Sequence, residues 1–89
     1  MITPEDLVLA FPCEFPIKVM GRSQSGFVQS IMEVFKRHAP DFDASTLEMR
    51  SSREGAYLSI TLTIRAVSRE QLDDLYRDLC DHPMVTMVL

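Results

Sequence analysis

The residues best suited to chemistry lie in one short stretch, Gly21-Arg22-Ser23-Gln24-Ser25-Gly26, between an alternating apolar run and an apolar run at helical spacing. Backbone N–H groups at the start of a helix have no intrahelical acceptor, so a Gly/Ser turn at that place can hold an anion. Arg22 or a serine hydroxyl could assist, which makes Gly21 to Gly26 the candidate binding loop. The same residues also make an ordinary capped turn, because the loop lacks the spacing of a phosphate-binding motif.

No other group of residues suggests a reaction. Cys13 and Cys80 lack C-x-x-C spacing and read as reduced structural thiols, Cys80 within the apolar stripe of a helix. His38 and His82 fall at helix C-termini, where a charged imidazole complements the helix dipole. Cys80, Asp81 and His82 are adjacent but diverge around a helix end, so they offer no metal site without ligands from elsewhere. No Ser/His/Asp or Cys/His arrangement with a third, orienting group can be drawn. The chain thus reads as non-enzymatic, with no catalytic residues, no metal and no cofactor.

The elements that position the loop follow from periodicity. Phe15, Ile17 and Val19 alternate with Pro16, Lys18 and Met20, which predicts a first strand that Gly21 ends. Phe27, Val28, Ile31, Met32, Val34, Phe35 and His38 recur at helical spacing, and Pro40 ends that helix by disfavouring helical geometry at Ala39. Thr46 to Arg50 predicts a short edge strand, followed by a hairpin turn at Gly55. Leu58, Ile60, Leu62 and Ile64 alternate with polar residues in the clearest strand. Ser68-Arg69-Glu70-Gln71 is a capping box with Val67 and Leu72 as its hydrophobic staple, and Leu72, Leu75, Tyr76, Leu79 and Cys80 give the second helix its apolar stripe. Pro83 stops this helix, and residues 84–89 form a last strand. Before the first strand, Thr3 and Pro4 predict a short helix, so residues 1–13 form an N-terminal helical segment and residues 14–89 a single domain.

The order β-α-β-β-α-β defines an α+β, ferredoxin-like sandwich: a four-stranded antiparallel sheet with two helices on one face. Right-handed crossovers place the first and third strands in the centre and the other two at the edges. The uncovered face then carries Lys18, Tyr57, Thr61, Thr63 and Arg65 as a candidate interaction face, with Met20 and Ser59, joined by Glu48, Arg50 and Thr86 if the edge registers allow. RNA-binding modules of this topology stack bases on central aromatic residues. Here Lys18 and Thr61 or Thr63 take those places, which disfavours that mode and leaves the face either solvated or paired with another protein surface of mixed polarity.

Composition narrows the classes further. The 89 residues are 46% hydrophobic and 25% charged, as in an ordinary globular domain, and the net charge of -4 disfavours a partner bound through phosphates. No apolar run approaches the roughly 20 residues of a membrane span, and the acidic start Met1-Ile2-Thr3-Pro4-Glu5-Asp6 is unlike a signal peptide, so the expected location is the cytoplasm, away from membranes.

Several segments resemble those of a known family when they occur in this order: Phe15-Pro16 with Lys18-Val19-Met20-Gly21, then Val34 and Arg37-His38-Ala39-Pro40, then Ser51-Ser52 with Gly55 and Tyr57, and Val85 to Met87-Val88-Leu89. On these residues the chain resembles the YbeD-like family of small bacterial proteins. The resemblance implies an ACT-like form of the fold, similar to regulatory domains that bind amino acids or other small effectors, and a connection with lipoate attachment. It implies effector contact at Gly21, Arg22, Ser23, Ser25 and Gly26, although the Asp-x-Pro-Gly signature of ACT domains is absent. The loop also looks like the phosphate loop of acylphosphatases, but that mechanism needs an arginine after the loop and an asparagine on the second strand. Val28 and Gln29 follow Phe27 here, and Glu48 and Arg50 occupy the strand. The expected protein is a regulator or adaptor with an unidentified protein partner, a small-molecule effector as the alternative, and two edge strands by which a homodimer could form.

Overall fold

The computed structural model describes residues 10–89, so the expected N-terminal helix lies outside the described residues. Four strands, β1 (Cys13–Arg22), β2 (Glu48–Ser51), β3 (Tyr57–Ala66) and β4 (Val85–Val88), form one antiparallel sheet in the order β2-β3-β1-β4. Two helices, α1 (Phe27–His38) and α2 (Arg69–Asp81), complete the β-α-β-β-α-β order. The two longest strands are central and fully paired, with Ile17 opposite Leu62 and Val19 opposite Ile60. The short strands lie at the edges, as the crossovers require.

One core holds these layers together. Ile17 and Val19 of β1 and Ile60, Leu62, Ile64 and Ala66 of β3 project from one sheet face onto Phe27, Ile31, Val34 and Phe35 of α1 and Leu72, Leu75 and Leu79 of α2. Burial of each of these larger side chains stabilises the fold by about 1.5–3 kcal/mol, and it is the reason the period-two and helical patterns must face each other. The stripe of α2 is narrower than its spacing suggests. Leu72, Leu75 and Leu79 fill the space against the sheet, Tyr76 is half-buried, and Cys80 is exposed.

Two boundaries and one register differ from expectation. β1 does not end at Gly21 but continues to Arg22, because Gly21 pairs with Leu58 on one side and Val85 on the other. Thr46 falls in a 3-10 turn, Ala44–Thr46, and β2 begins only at Glu48. The cause is local: the Asp43 carboxylate accepts from Ser45 N–H at 3.0 Å and Ser45 Oγ at 2.6 Å, which offers the backbone an alternative to a strand. Thr46 Oγ1 donates to the Asp43 carbonyl at 2.6 Å and accepts from Thr63 N–H at 3.0 Å, so a side chain replaces a strand partner along this part of β3. At β4, a bulge between Met20 and Gly21 sets Met87, rather than Thr86, opposite Met20, and Thr86 Oγ1 donates to the Met20 carbonyl at 3.0 Å.

The start of α2 follows its sequence signal, with one change. Ser68 Oγ accepts from Gln71 N–H at 3.1 Å, while Gln71 Oε1 reaches past the cap to accept from Val67 N–H at 2.7 Å. Val67 stays exposed, so the staple does not form part of the core. Gln71 Nε2 also donates to the His38 carbonyl at 2.8 Å and so ties the end of α1 to the start of α2. Ser68→Ala should cost about 1 kcal/mol, read as a fall in the urea midpoint without a change in slope, and Ser68→Asn should restore most of it.

Candidate functional site

The structure divides the five loop residues. Gly21 is buried on the core side of β1, and Arg22 ends the strand with its side chain exposed, leaving Ser23, Ser25 and Gly26 in the turn. The N–H of Ser23 is taken by the Ala56 carbonyl at 2.9 Å, which continues the strand pairing beyond β1. Gly26 caps α1 with φ 83°, a left-handed geometry suited to glycine, and its carbonyl accepts from Ser30 N–H at 2.9 Å. No side chain caps α1, and its first turn has no acidic residue. What survives of the expected anion site is an exposed helix start beside Ser23 and Ser25, without Gly21.

Gly21 serves packing instead. A Cβ at this position would overlap the Met84 carbonyl oxygen and the ring of Phe27. The glycine lets β1, the chain entering β4 and the first residue of α1 meet at one point.

The five residues expected on the open face are brought together. Alternation puts Glu14, Pro16, Lys18, Met20 and Arg22 of β1 on the side away from the helices, and the register sets them opposite Arg65, Thr63, Thr61, Ser59 and Tyr57 of β3. β2 extends two of these rows, with Glu48 opposite Thr61 and Arg50 opposite Ser59. On the other side Met87 lies opposite Met20, and Leu89 exchanges backbone hydrogen bonds with Lys18 at 3.1 and 2.8 Å. Lys18, Thr61 and Thr63 are half-buried, and Tyr57 and Arg65 exposed. Arg22, Glu14 and Met87 belong to this face but were not among its expected members. Extending period two by one residue at each end of β1 would have found the first two; Met87 depends on the bulge.

Among the described residues one concavity of about 410 Å3 opens at the Glu14–Thr63–Arg65 end of this face and another of about 400 Å3 on the helical side. The first lies beside Cys13, Glu14, Asp41, Asp43 and Arg65, and the second between α1 and His82. Among the described residues, no three His, Cys, Asp or Glu side chains gather as a metal-holding group. His82 Nδ1 accepts from Met84 N–H at 3.1 Å, which commits this histidine to the turn after α2.

His38 does more than meet the dipole of its own helix: its Nε2 donates to Asp78 Oδ2 of α2 at 2.5 Å, with Arg37 4.0 Å from the same oxygen. This hydrogen bond, followed by the positive charges of His38, Arg37 and Arg77, holds the Asp78 carboxyl below its ordinary value of 3.8. A carboxylate whose folded value is depressed contributes stability that is fully present above 3.8 and is lost as pH falls through the lower, folded value. Asp78→Asn should therefore flatten the acid limb of the urea midpoint plotted against pH, while leaving the curve above pH 5 nearly parallel to that of the unchanged protein. Identical acid limbs would remove the assignment.

Comparison with known proteins places this geometry in a family. Residues 6–89 match the family model described as "Protein of unknown function (DUF493)". The UPF0250 protein of Nitrosomonas europaea is 62% identical over 85 residues, covering 96% of this chain and 98% of the relative. That of Bordetella pertussis is 51% identical over 88 residues, covering 99% and 97%. Among solved structures, protein HP0495 of Helicobacter pylori superposes with a TM-score of 0.74 at 15% identity, over 100% of this chain and 97% of that one. The ACT domain of the GTP pyrophosphokinase of Chlorobium tepidum gives 0.70 at 18% identity, over 88% and 96%. At such identities these two likenesses speak for the fold alone. Among the described residues, no helix is long and apolar enough to cross a membrane. The chain thus belongs to the DUF493 (UPF0250) family, a small bacterial family of unknown function, and carries the ACT-like form of the ferredoxin-like fold that its Arg37-His38-Ala39-Pro40 and Met87-Val88-Leu89 segments imply.

Proposed function

We propose that this chain is a non-enzymatic adaptor of the cytoplasm that takes a protein partner on the open face of its sheet. One observation carries the reading: the face opposite the helices presents aligned side chains from all four strands, and no described element covers it. Tyr57, Met87 and Leu89 are 41%, 51% and 61% exposed there, and aromatic and methionine side chains among polar neighbours are typical of protein interfaces. The names of the two UPF0250 relatives carry no enzymatic activity. A second reading keeps a small effector, an amino acid or another anion, at Ser23–Gly26, and is favoured by the uncapped start of α1.

A photo-crosslinking amino acid at Thr61, in the middle of the face, should give a discrete covalent adduct in cells that the same group at Gln29, on the outer side of α1, does not. In parallel, thermal unfolding is followed with amino acids, lipoate and octanoate, which also tests the connection with lipoate metabolism. A ligand at 100 times its dissociation constant adds about 2.7 kcal/mol, a shift of about 10–20 °C for a domain of this size. No adduct at Thr61, together with a ligand shift that Ser25→Glu removes, would replace the adaptor reading with the effector one.

A further inference from the structure

We infer that the partner of the open face is a protein with an acidic surface, an inference that rests on the adaptor reading. The face carries four cations, Lys18 and Arg22 on β1, Arg50 on β2 and Arg65 on β3, against two carboxylates, Glu14 and Glu48. It is thus positive by two in a chain of net charge -4, and the rest of the chain is negative by six. Composition alone hides this separation, because the sum over the chain is acidic.

Placement sharpens the contrast. Glu14 sits opposite Arg65 at one end of the sheet, and Glu48 lies at the β2 edge with Thr61 between it and Lys18. Lys18, Arg22 and Arg50 surround the central Met20 and Ser59 with no carboxylate among them. The ion pairs of the described residues lie on the helices, Arg37 and His38 with Asp78 and Arg77 with Asp74, and none includes a cation of the face. Among the described residues Lys18, Arg22 and Arg50 have no ion-pair partner, whereas Arg65 has Glu14 opposite it and Asp41 and Asp43 beside the same concavity. Glu70, Asp73, Asp74 and Asp81 of α2 meanwhile face away from the core, so an acidic partner is steered toward the sheet and repelled from α2. Met87 and Tyr57 supply apolar contact within the same patch, and methionine adapts to the shape it meets.

Nucleic acid fits less well. The central positions offer Lys18 and Thr61 in place of rings on which bases stack. A second copy of this chain, its acidic α2 against the face, would be a head-to-tail contact that does not close by itself into a dimer.

The test uses the full-length 15N-labelled chain and three probes: a Glu/Asp/Leu peptide, its Lys/Leu counterpart and a single-stranded oligonucleotide. The acidic peptide is expected to shift the amide signals of Lys18, Met20, Arg22, Ser59 and Thr61, to leave those of Gln29 and Glu33 in place, and to bind more weakly as salt rises. Lys18→Glu with Arg50→Glu should weaken this binding by about tenfold or more, with core methyl signals unchanged as a check on folding. Equal binding of the basic peptide, tighter binding of the oligonucleotide at the same residues, or salt-sensitive self-association through them would overturn the inference. The crosslink at Thr61 separates the two levels. An adduct unchanged by the double charge reversal leaves the adaptor and removes the acidic partner, whereas no adduct in the unaltered background removes both.

Discussion

Gly21→Ala is expected to lower the thermal midpoint by about 10–20 °C, although it adds one methyl group. The methyl would overlap the Met84 carbonyl oxygen, which is backbone, and the ring of Phe27, which is fully buried. Neither can move aside as an exposed side chain could. Overpacking of this kind costs about 1–3 kcal/mol and more where backbone must shift, and about 2–3 kcal/mol corresponds to the stated change in a domain of this length. Thermal unfolding followed by circular dichroism reads it directly. A midpoint within two or three degrees of the unaltered protein would mean that β4 can withdraw from β1 without loss, contrary to the packing described. Substitution at Gly26 should behave differently: there is open space around a Cβ there, and only the left-handed φ opposes it, at about 1–2 kcal/mol. Gly26, not Gly21, is therefore the glycine whose replacement probes the turn without disturbing the core.

Phe27→Ala should cost about 3–5 kcal/mol, a large fraction of the stability of a small domain. The ring is fully buried, opens α1 and fills the space that Gly21 leaves beside β1. Its removal leaves a cavity that the two central strands cannot close without breaking their register. In urea, the midpoint should fall with little change in slope. The two substitutions share a contact, so their effects should not add. Removing the ring relieves part of the clash that Gly21→Ala creates, while the clash with Met84 remains. The double variant is thus expected to lose less than the sum of the single losses but more than Phe27→Ala alone. Strict additivity would show that the ring and the glycine do not meet in solution.

Much of the fold was legible because its signals are local. β3 shows in the alternation of Leu58, Ile60, Leu62 and Ile64, and α2 begins at Ser68 because that hydroxyl caps the helix from three residues away. The open face was legible for the same reason: period two on β1 and β3 assigns Lys18, Thr61, Thr63 and Arg65 to one side before any partner strand is known. The candidate loop is less legible. A glycine after an alternating run marks the end of a strand as readily as a close approach, and which it is depends on Met84, far along the chain. Spacing puts Cys80 in the stripe, but the sheet covers only the width that Leu72, Leu75 and Leu79 fill, and Cys80 is exposed. The bond from His38 to Asp78 had no signal, since the residues are 40 positions apart and either fits a solvated helix face.

By itself the sequence determined the order of elements, the inner and outer faces of the central strands, and the acidity of the whole, because periodicity and composition are properties of neighbours along the chain. Tertiary structure alone decided that Gly21 is a packing residue, that Met87 rather than Thr86 joins the open face, and that the cations of β1, β2 and β3 gather on one side of an acidic protein. Of those cations, period two already assigns Lys18 and Arg65 to that side; Arg22 and Arg50, like Met87, depend on where strands end, on register and on a bulge, and a shift of one residue in a strand would send every side chain in it to the opposite face.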